Sequence, residues 1–150
     1  MAICAFFGHS DMYYYDYEDK IRSIIIDLIE NHGIKVFYNG YRGNFDRKCA
    51  DIVGKLKQNY PYISNILVLS YHPDHNFYMP RSFDDSVYLL DRPVPPRYAI
   101  ARTNRIIAEK ADFIVSGVKF EYGGAYEACR YARRLNKKII SIFGENLFKG

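Results

Sequence analysis

The stretch ADFIVSGVKFEYGGAYEACRYARRLNKKIISIF, Ala111 to Phe143, reads as strand, glycine turn, helix and second strand. An apolar run (DFIVSG, 112–117) leads into a glycine pair, a segment with apolar residues at helical spacing, and a second apolar run (KIISIF, 138–143). A strand–helix–strand unit of this kind implies a right-handed parallel crossover. Gly123 and Gly124 fall where the helix begins. Glycine there lets backbone N–H groups approach an anion closely, and the helix dipole favours negative charge. The same pair also serves a plain tight turn with φ > 0, so a phosphate reading needs support from elsewhere in the chain.

Working outward, three further apolar runs of strand length stand earlier: AICAFFG (2–8), IKVFYN (34–39) and NILVLSY (65–71). Between the first two, Ile21, Ile24, Ile25, Leu28 and Ile29 recur at helical spacing, with Asp16 as the expected N-cap and Gly33 as the stop. A second helix is expected from a cap near Asn44 to a stop before Pro61, with Phe45, Cys49, Ile52, Val53 and Leu56 on one stripe. A third runs from Pro96 to Lys110 with Ala99, Thr103, Ile106 and Ile107 inward, and the fourth carries Ala128, Cys129, Ala132 and Leu135. The alternation predicts an α/β Rossmann-like three-layer sandwich with a five-stranded, mainly parallel sheet in the order 3-2-1-4-5. The long irregular segment from Tyr71 to Val94 is left as a lid, a rim or a surface excursion.

Composition narrows the function classes. The 150 residues are expected to form a single domain, residues 1–150. A net charge of +4 suits an anionic small ligand, and the only cationic cluster, RYARRLNKK, reads first as a solvated helix face. Fifteen Tyr and ten Phe with no Trp leave stacking to single-ring aromatics. Cys4, Cys49 and Cys129 show no paired spacing and read as small buried residues in a reducing compartment. No signal-peptide pattern or long apolar run is present, so a soluble, cytoplasmic protein with no membrane partner is expected.

Ligands of such sheets bind at the carboxyl ends of the strands, beside the topological switch point. The segments after the strands bring Gly8, His9 and Ser10, then Asn39, Gly40, Tyr41, Arg42, Gly43, Asn44 and Asp46, then Tyr71 and His72, and last Gly117 to Gly124, including Tyr122. The loop YNGYRGNFD offers backbone donors and one guanidinium to a phosphate, although glycine, asparagine and aspartate are also ordinary turn residues. Asp46 is suited to sugar hydroxyls or to dipole complementarity, and His9 to ligand contact or acid–base work. Tyr13, Tyr14, Tyr15 and Tyr17 offer stacking faces or rim packing. His72, Asp74 and His75 lack further ligands, so neither a metal nor a cofactor is expected. The chain has no G-x-x-x-x-G-K-S/T loop, no G-x-G-x-x-G after the first strand and no G-x-S-x-G elbow, which sets aside kinase, ATPase, ordinary dehydrogenase and serine-hydrolase readings.

GHS after the first strand, FYNGYRGNFDRKCA after the second, ARTNRIIAEKADFIV and the final YGGAYEACRYA together resemble the SLOG superfamily. That group is related to the lonely-guy phosphoribohydrolases and to the Rossmann-like domains of DNA-processing-protein-A type. The resemblance implies a nucleotide-derived ligand held by Gly8, Gly40, Gly43, Asn44, Asp46, Gly123 and Gly124. Where the phosphoribohydrolases carry PGGxGTxxE, this chain reads YGGAYEACR, with Cys129 and Arg130 near the expected carboxylate and Glu127 as the substitute. Catalysis is therefore not expected. The resemblance further implies a stand-alone sponge or sensor for an ADP-ribose-like molecule such as a cyclic ADP-ribose signal, as a viral or mobile-element protein would use against host defence. The alternatives are an N-glycosidase or deoxyribosyltransferase working through Glu127 or Asp46, and nucleic-acid binding through Arg130, Arg133, Arg134, Lys137 and Lys138, with nucleic acid the less expected partner. Oligomeric state stays open, a homo-oligomer paired through helices being one outcome.

Overall fold

The run AICAFFG forms β1 (Ile3–Gly8), and its side chains from Ile3 to Phe7 are buried because helices cover both faces of the sheet. The computed structural model describes residues 1–144. The other strands are β2 (Val36–Asn39), β3 (Ser64–Leu69), β4 (Asp85–Tyr88), β5 (Phe113–Gly117) and β6 (Lys138–Ser141). The helices are α1 (Glu18–His32), α2 (Asn44–Leu56), α3 (Pro96–Lys110) and α4 (Gly124–Arg134). The sheet order is β4-β3-β2-β1-β5-β6, with every neighbouring pair parallel. None of the helices is long and apolar enough to cross a membrane among the described residues.

The five expected strands thus take their expected order, and a sixth extends the sheet beyond β3. The segment 71–94 supplies it: Ser86 and Val87 pair with Leu67 and Val68. Its DSVY sequence is short and only partly buried, as an edge strand allows.

Alternation along β1 divides the core. Cys4 and Phe6 pack with Ile21, Ile25 and Leu28 of α1 and with Phe45, Cys49 and Val53 of α2. Ala5 and Phe7 pack on the other face with Ile107 and Ala108 of α3 and Ala128, Cys129 and Ala132 of α4. Small residues on α4 let that helix lie close to the sheet. Leu135, expected to face inward, is instead the exposed residue that caps α4. Gly33, at φ 66, ends α1 as expected, whereas Asp16 lies in a 3-10 turn (Tyr15–Tyr17) and does not cap it. All three cysteines are free and buried, and burial pushes their thiols up, that of Cys129 to about 12.

The sheet ends at a pair of glycines. Gly8 and Gly117 are partners at the carboxyl ends of the adjacent strands β1 and β5. The ring of Phe45 lies against both, so that a Cβ at either position would fall inside its van der Waals envelope. Tyr14 meets Phe45 edge-on at 4.9 Å, and its hydroxyl donates to the Gly117 carbonyl at 2.7 Å while accepting from the His9 N–H at 3.0 Å. Overpacking such a site costs about 1–3 kcal/mol, and removing a buried Phe about 3–5 kcal/mol. Gly8→Ala and Gly117→Ala should therefore each lower stability in urea unfolding. Adding Phe45→Leu to Gly8→Ala should cost less than the sum of the two single changes, because both act on one contact. Strict additivity would show that the ring and the glycine are not coupled.

Candidate functional site

Beyond that glycine pair, where the chain departs from the sheet in opposite directions, lies a cavity of about 340 Å³. Its floor is the end of β1, from Phe6 to Asp11; Gly40, Arg42 and Asp46 line it from one side, and Tyr122 to Ala125 with Ile100 and Asn104 from the other. Nine of the expected site residues meet here: Gly8, His9, Ser10, Gly40, Arg42, Asp46, Tyr122, Gly123 and Gly124.

The start of α4 is open toward this space. Gly123 precedes the helix at φ 94, and no side chain caps it. A Cβ at Gly123 would meet nothing within 4 Å, and one at Gly124 only the Asn104 amide at 3.9 Å. These two glycines differ from Gly8, where a Cβ would meet the Phe45 ring, and from Gly43, where a Cβ would fall on Ser10. The room at Gly123 and Gly124 is not used by any described residue.

His9 is 7% exposed, and its Nε2 accepts the backbone N–H groups of Lys119 and Phe120, both at 3.0 Å. An imidazole accepting at Nε2 carries its proton on Nδ1. Burial lowers its pKa, against the opposing charge of Asp11, which keeps this neutral form. His9 therefore fixes the loop that follows β5, and Nε2 is not free as a base. Its ring also meets those of Phe120 (5.4 Å) and Tyr122 (5.7 Å), which stack on each other at 5.7 Å and 12°. The result is an exposed aromatic pair, Phe120 and Tyr122, of which Tyr122 lines the cavity.

Facing it, the loop after β2 is held by side chain to backbone bonds. Asn39, fully buried, donates to the Asp46 carbonyl at 2.8 Å and accepts from Tyr41 N–H at 2.7 Å. Tyr41 adopts φ 56, the left-handed region that non-glycine residues rarely occupy. Asp46 Oδ2 accepts the Arg42 N–H at 3.0 Å. Arg42 Nη2 donates to Ser70 Oγ, and its Nε is buried without a partner among the described residues. Desolvation raises Asp46 to about 6, against the Arg42 N–H and the charges of Arg42 and Arg47. Desolvation also lowers Arg42, against the charge of Asp46.

The remaining expected residues lie elsewhere. Asn39 and Gly43 support the loop from behind, and Asn44 N–H donates to the Ser10 carbonyl at 2.9 Å. Tyr71 lines a second cavity, and its hydroxyl donates to Pro96. Glu127 is exposed and pairs with Arg130 at 3.6 Å, outside the cavity. Tyr14 is buried in the core, while Tyr13 and Tyr15 stack on each other in solvent. Ile100 and Asn104 were not anticipated from sequence. They sit one turn apart on α3, beside the inward stripe, and the only sequence signal was that i, i+4 spacing.

No family model and no curated protein matches the chain by sequence. Solved structures do resemble it. DNA processing protein A from Streptococcus pneumoniae superposes with a TM-score of 0.68 at 14% identity, over 94% of this chain and 50% of that one. The molybdenum cofactor binding protein of the phototrophic bacterium Rippkaea orientalis gives 0.63 at 13%, over 93% and 75%. DNA processing protein A from Helicobacter pylori, described for its single-stranded DNA binding mode, gives 0.63 at 15%, over 93% and 64%. The chain thus spans half the length of the pneumococcal protein. Identities this low speak to the fold alone, a Rossmann-like one that this chain shares with DNA processing protein A and the molybdenum cofactor binding protein.

Proposed function

We propose that this protein binds a nucleotide-derived small molecule of ADP-ribose type and holds it without cleaving it, as a sponge or sensor of a signal. One observation carries the reading: the uncapped start of α4, with open space at Gly123 and Gly124, shares a cavity with Arg42. Backbone donors at a helix N-terminus and a planar guanidinium are both suited to phosphate oxygens. The Phe120–Tyr122 pair suits a base, and Ser10, Asp11, Asp46 and Asn104 suit ribose hydroxyls. Structural relatives are named for binding a molybdenum cofactor and for a single-stranded DNA binding mode. Nucleic acid therefore stays within the range of ligands to be tested.

Gly124→Val would place a branched side chain in the open space at the phosphate approach, where no protein atom obstructs it. The expected result in calorimetric titration with ADP-ribose is a loss of roughly tenfold or more in affinity, the worth of one or two charge-assisted hydrogen bonds. The melting temperature should stay close to that of the unaltered protein. Unchanged affinity would remove α4 from the site.

A second, enzymatic reading is favoured by Asp46 alone, a carboxyl inside the cavity that keeps its proton to about pH 6, as an N-glycosidase acid would. Under the binding reading, AMP and ADP-ribose incubated with the protein are recovered intact by mass spectrometry. Free adenine exceeding the amount of protein, and lost in Asp46→Asn, would establish the enzyme.

The Asp46 shift also has a folding consequence. With the folded value raised to about 6, the native chain holds a proton that the unfolded chain has already released between about pH 4 and 6. Stability conferred by the protonated form is lost as pH rises through that window. Urea unfolding at pH 4.5 and 7.5 should show a fall in the native protein, relative to Asp46→Asn, on the order of 2 kcal/mol. His9 acts in the opposite sense, since its lowered value favours folding as pH rises toward its ordinary one, and it cancels in the comparison. Parallel pH profiles for the two proteins would show that Asp46 is not desolvated.

A further inference from the structure

A second cavity, of about 320 Å³, lies beyond the carboxyl end of β3, and Gly40 and Arg42 line it as well as the first. Its other walls include Ser70, Tyr71, His72, Asn76 and Phe77. Arg42 stands at the junction. The left-handed turn at Tyr41 and the Asp46 bond to its N–H fix its backbone, Ser70 holds one end of its guanidinium, and Nε stays buried without a partner among the described residues. Ser70 is 3% exposed, so this anchor is built into the core edge.

The loop that rims the second cavity is itself unusual. A parallel pair is ordinarily joined through a helix, yet β3 and β4 are joined by an irregular segment, residues 70–84, that leaves Tyr71 (48% exposed) and Phe77 (39%) at the rim. Long irregular loops in compact folds are commonly ligand loops. Aromatic faces beside Ser70 and Asn76 suit a sugar, which offers hydroxyls on one side and C–H groups on the other.

We propose that the ligand straddles Arg42: a diphosphate sits at the guanidinium, a nucleoside arm fills the first cavity, and a ribosyl arm enters the second. This rests on reading the first cavity as a nucleotide site, and it adds a subsite formed by Ser70, His72, Asn76 and Phe77. An arginine that lines two cavities of similar size, its guanidinium held by Ser70, suits a doubly charged link between two arms, whereas a one-armed nucleotide would leave the second cavity unfilled.

The test compares ADP-ribose with ADP, which keeps the diphosphate and lacks the distal arm. Calorimetric titration of the full chain should show ADP-ribose binding about tenfold more tightly, the worth of one or two further hydrogen bonds. Asn76→Trp, which fills the second cavity from its exposed rim, and Phe77→Ala should each bring ADP-ribose down toward the ADP affinity while leaving ADP unchanged. Equal affinities for the two ligands in the unaltered protein, or a preference that survives both substitutions, would overturn the subsite and leave the nucleotide site standing. Failure of both ligands to bind at all would overturn the nucleotide site and the subsite with it.

Discussion

The contact of one phenylalanine ring with two backbone glycines organises everything at the ligand edge. Phe45 opens the first turn of α2 and rests on Gly8 and Gly117, where β1 and β5 end side by side. Only residues without a side chain let an aromatic ring approach a sheet so closely. From this contact two chains of dependence run. Through Tyr14, which abuts the ring and bridges His9 N–H and the Gly117 carbonyl, the ends of the two strands are tied together. His9 is thereby aimed at the N–H groups of Lys119 and Phe120, which sets the approach to α4. In the other direction, residue 46 follows residue 45 on α2, and its backbone and carboxylate hold Asn39 and Arg42. Both walls of the cavity therefore depend on the same ring.

Charge in the cavity is arranged with little surplus. Among the described residues Arg42 is the one cation lining it, Asp11 and Asp46 are its carboxyls, and burial raises Asp46 to about 6. His9 contributes none, since its lowered pKa and its two incoming N–H bonds both disfavour the imidazolium. Attraction for an anion thus rests on one fixed guanidinium and on oriented backbone dipoles rather than on net charge. Such a site recognises geometry more than it attracts charge in general.

The strands, the helices and the central strand order were legible because buried parallel strands are continuous apolar runs and the helical stripes are regular. β4 was not, because DSVY is a short, half-exposed edge segment whose pairing with β3 comes from tertiary placement rather than local pattern. The site was legible in part. Loop residues after strands converge by topology alone, which is why nine of them line one cavity. What sequence could not separate was the purpose of each glycine: Gly8 makes room for Phe45, whereas no described residue packs closely on Gly123 or Gly124. The pattern GHS likewise suggests a reactive histidine, yet the partners that occupy Nε2 lie 110 and 111 residues away.

Helical phase bears on whether α4 supplies a catalytic carboxylate. Gly124 and Ala125 line the cavity, and Ala128, Cys129 and Ala132 continue that side of the helix into the core. Glu127 stands two residues past Ala125, roughly 200° further round the helix, and roughly 60° to the other side of Gly124. That places it on the solvent stripe with Arg130 and Arg134, and there it pairs with Arg130. The carboxyls that line the cavity are those of Asp46 and Asp11, and a glycosidic reaction there would draw first on these. Asp46 already accepts the Arg42 N–H and so holds the loop after β2. A group committed to holding that loop is better suited to keeping a ligand in place than to exchanging protons with it.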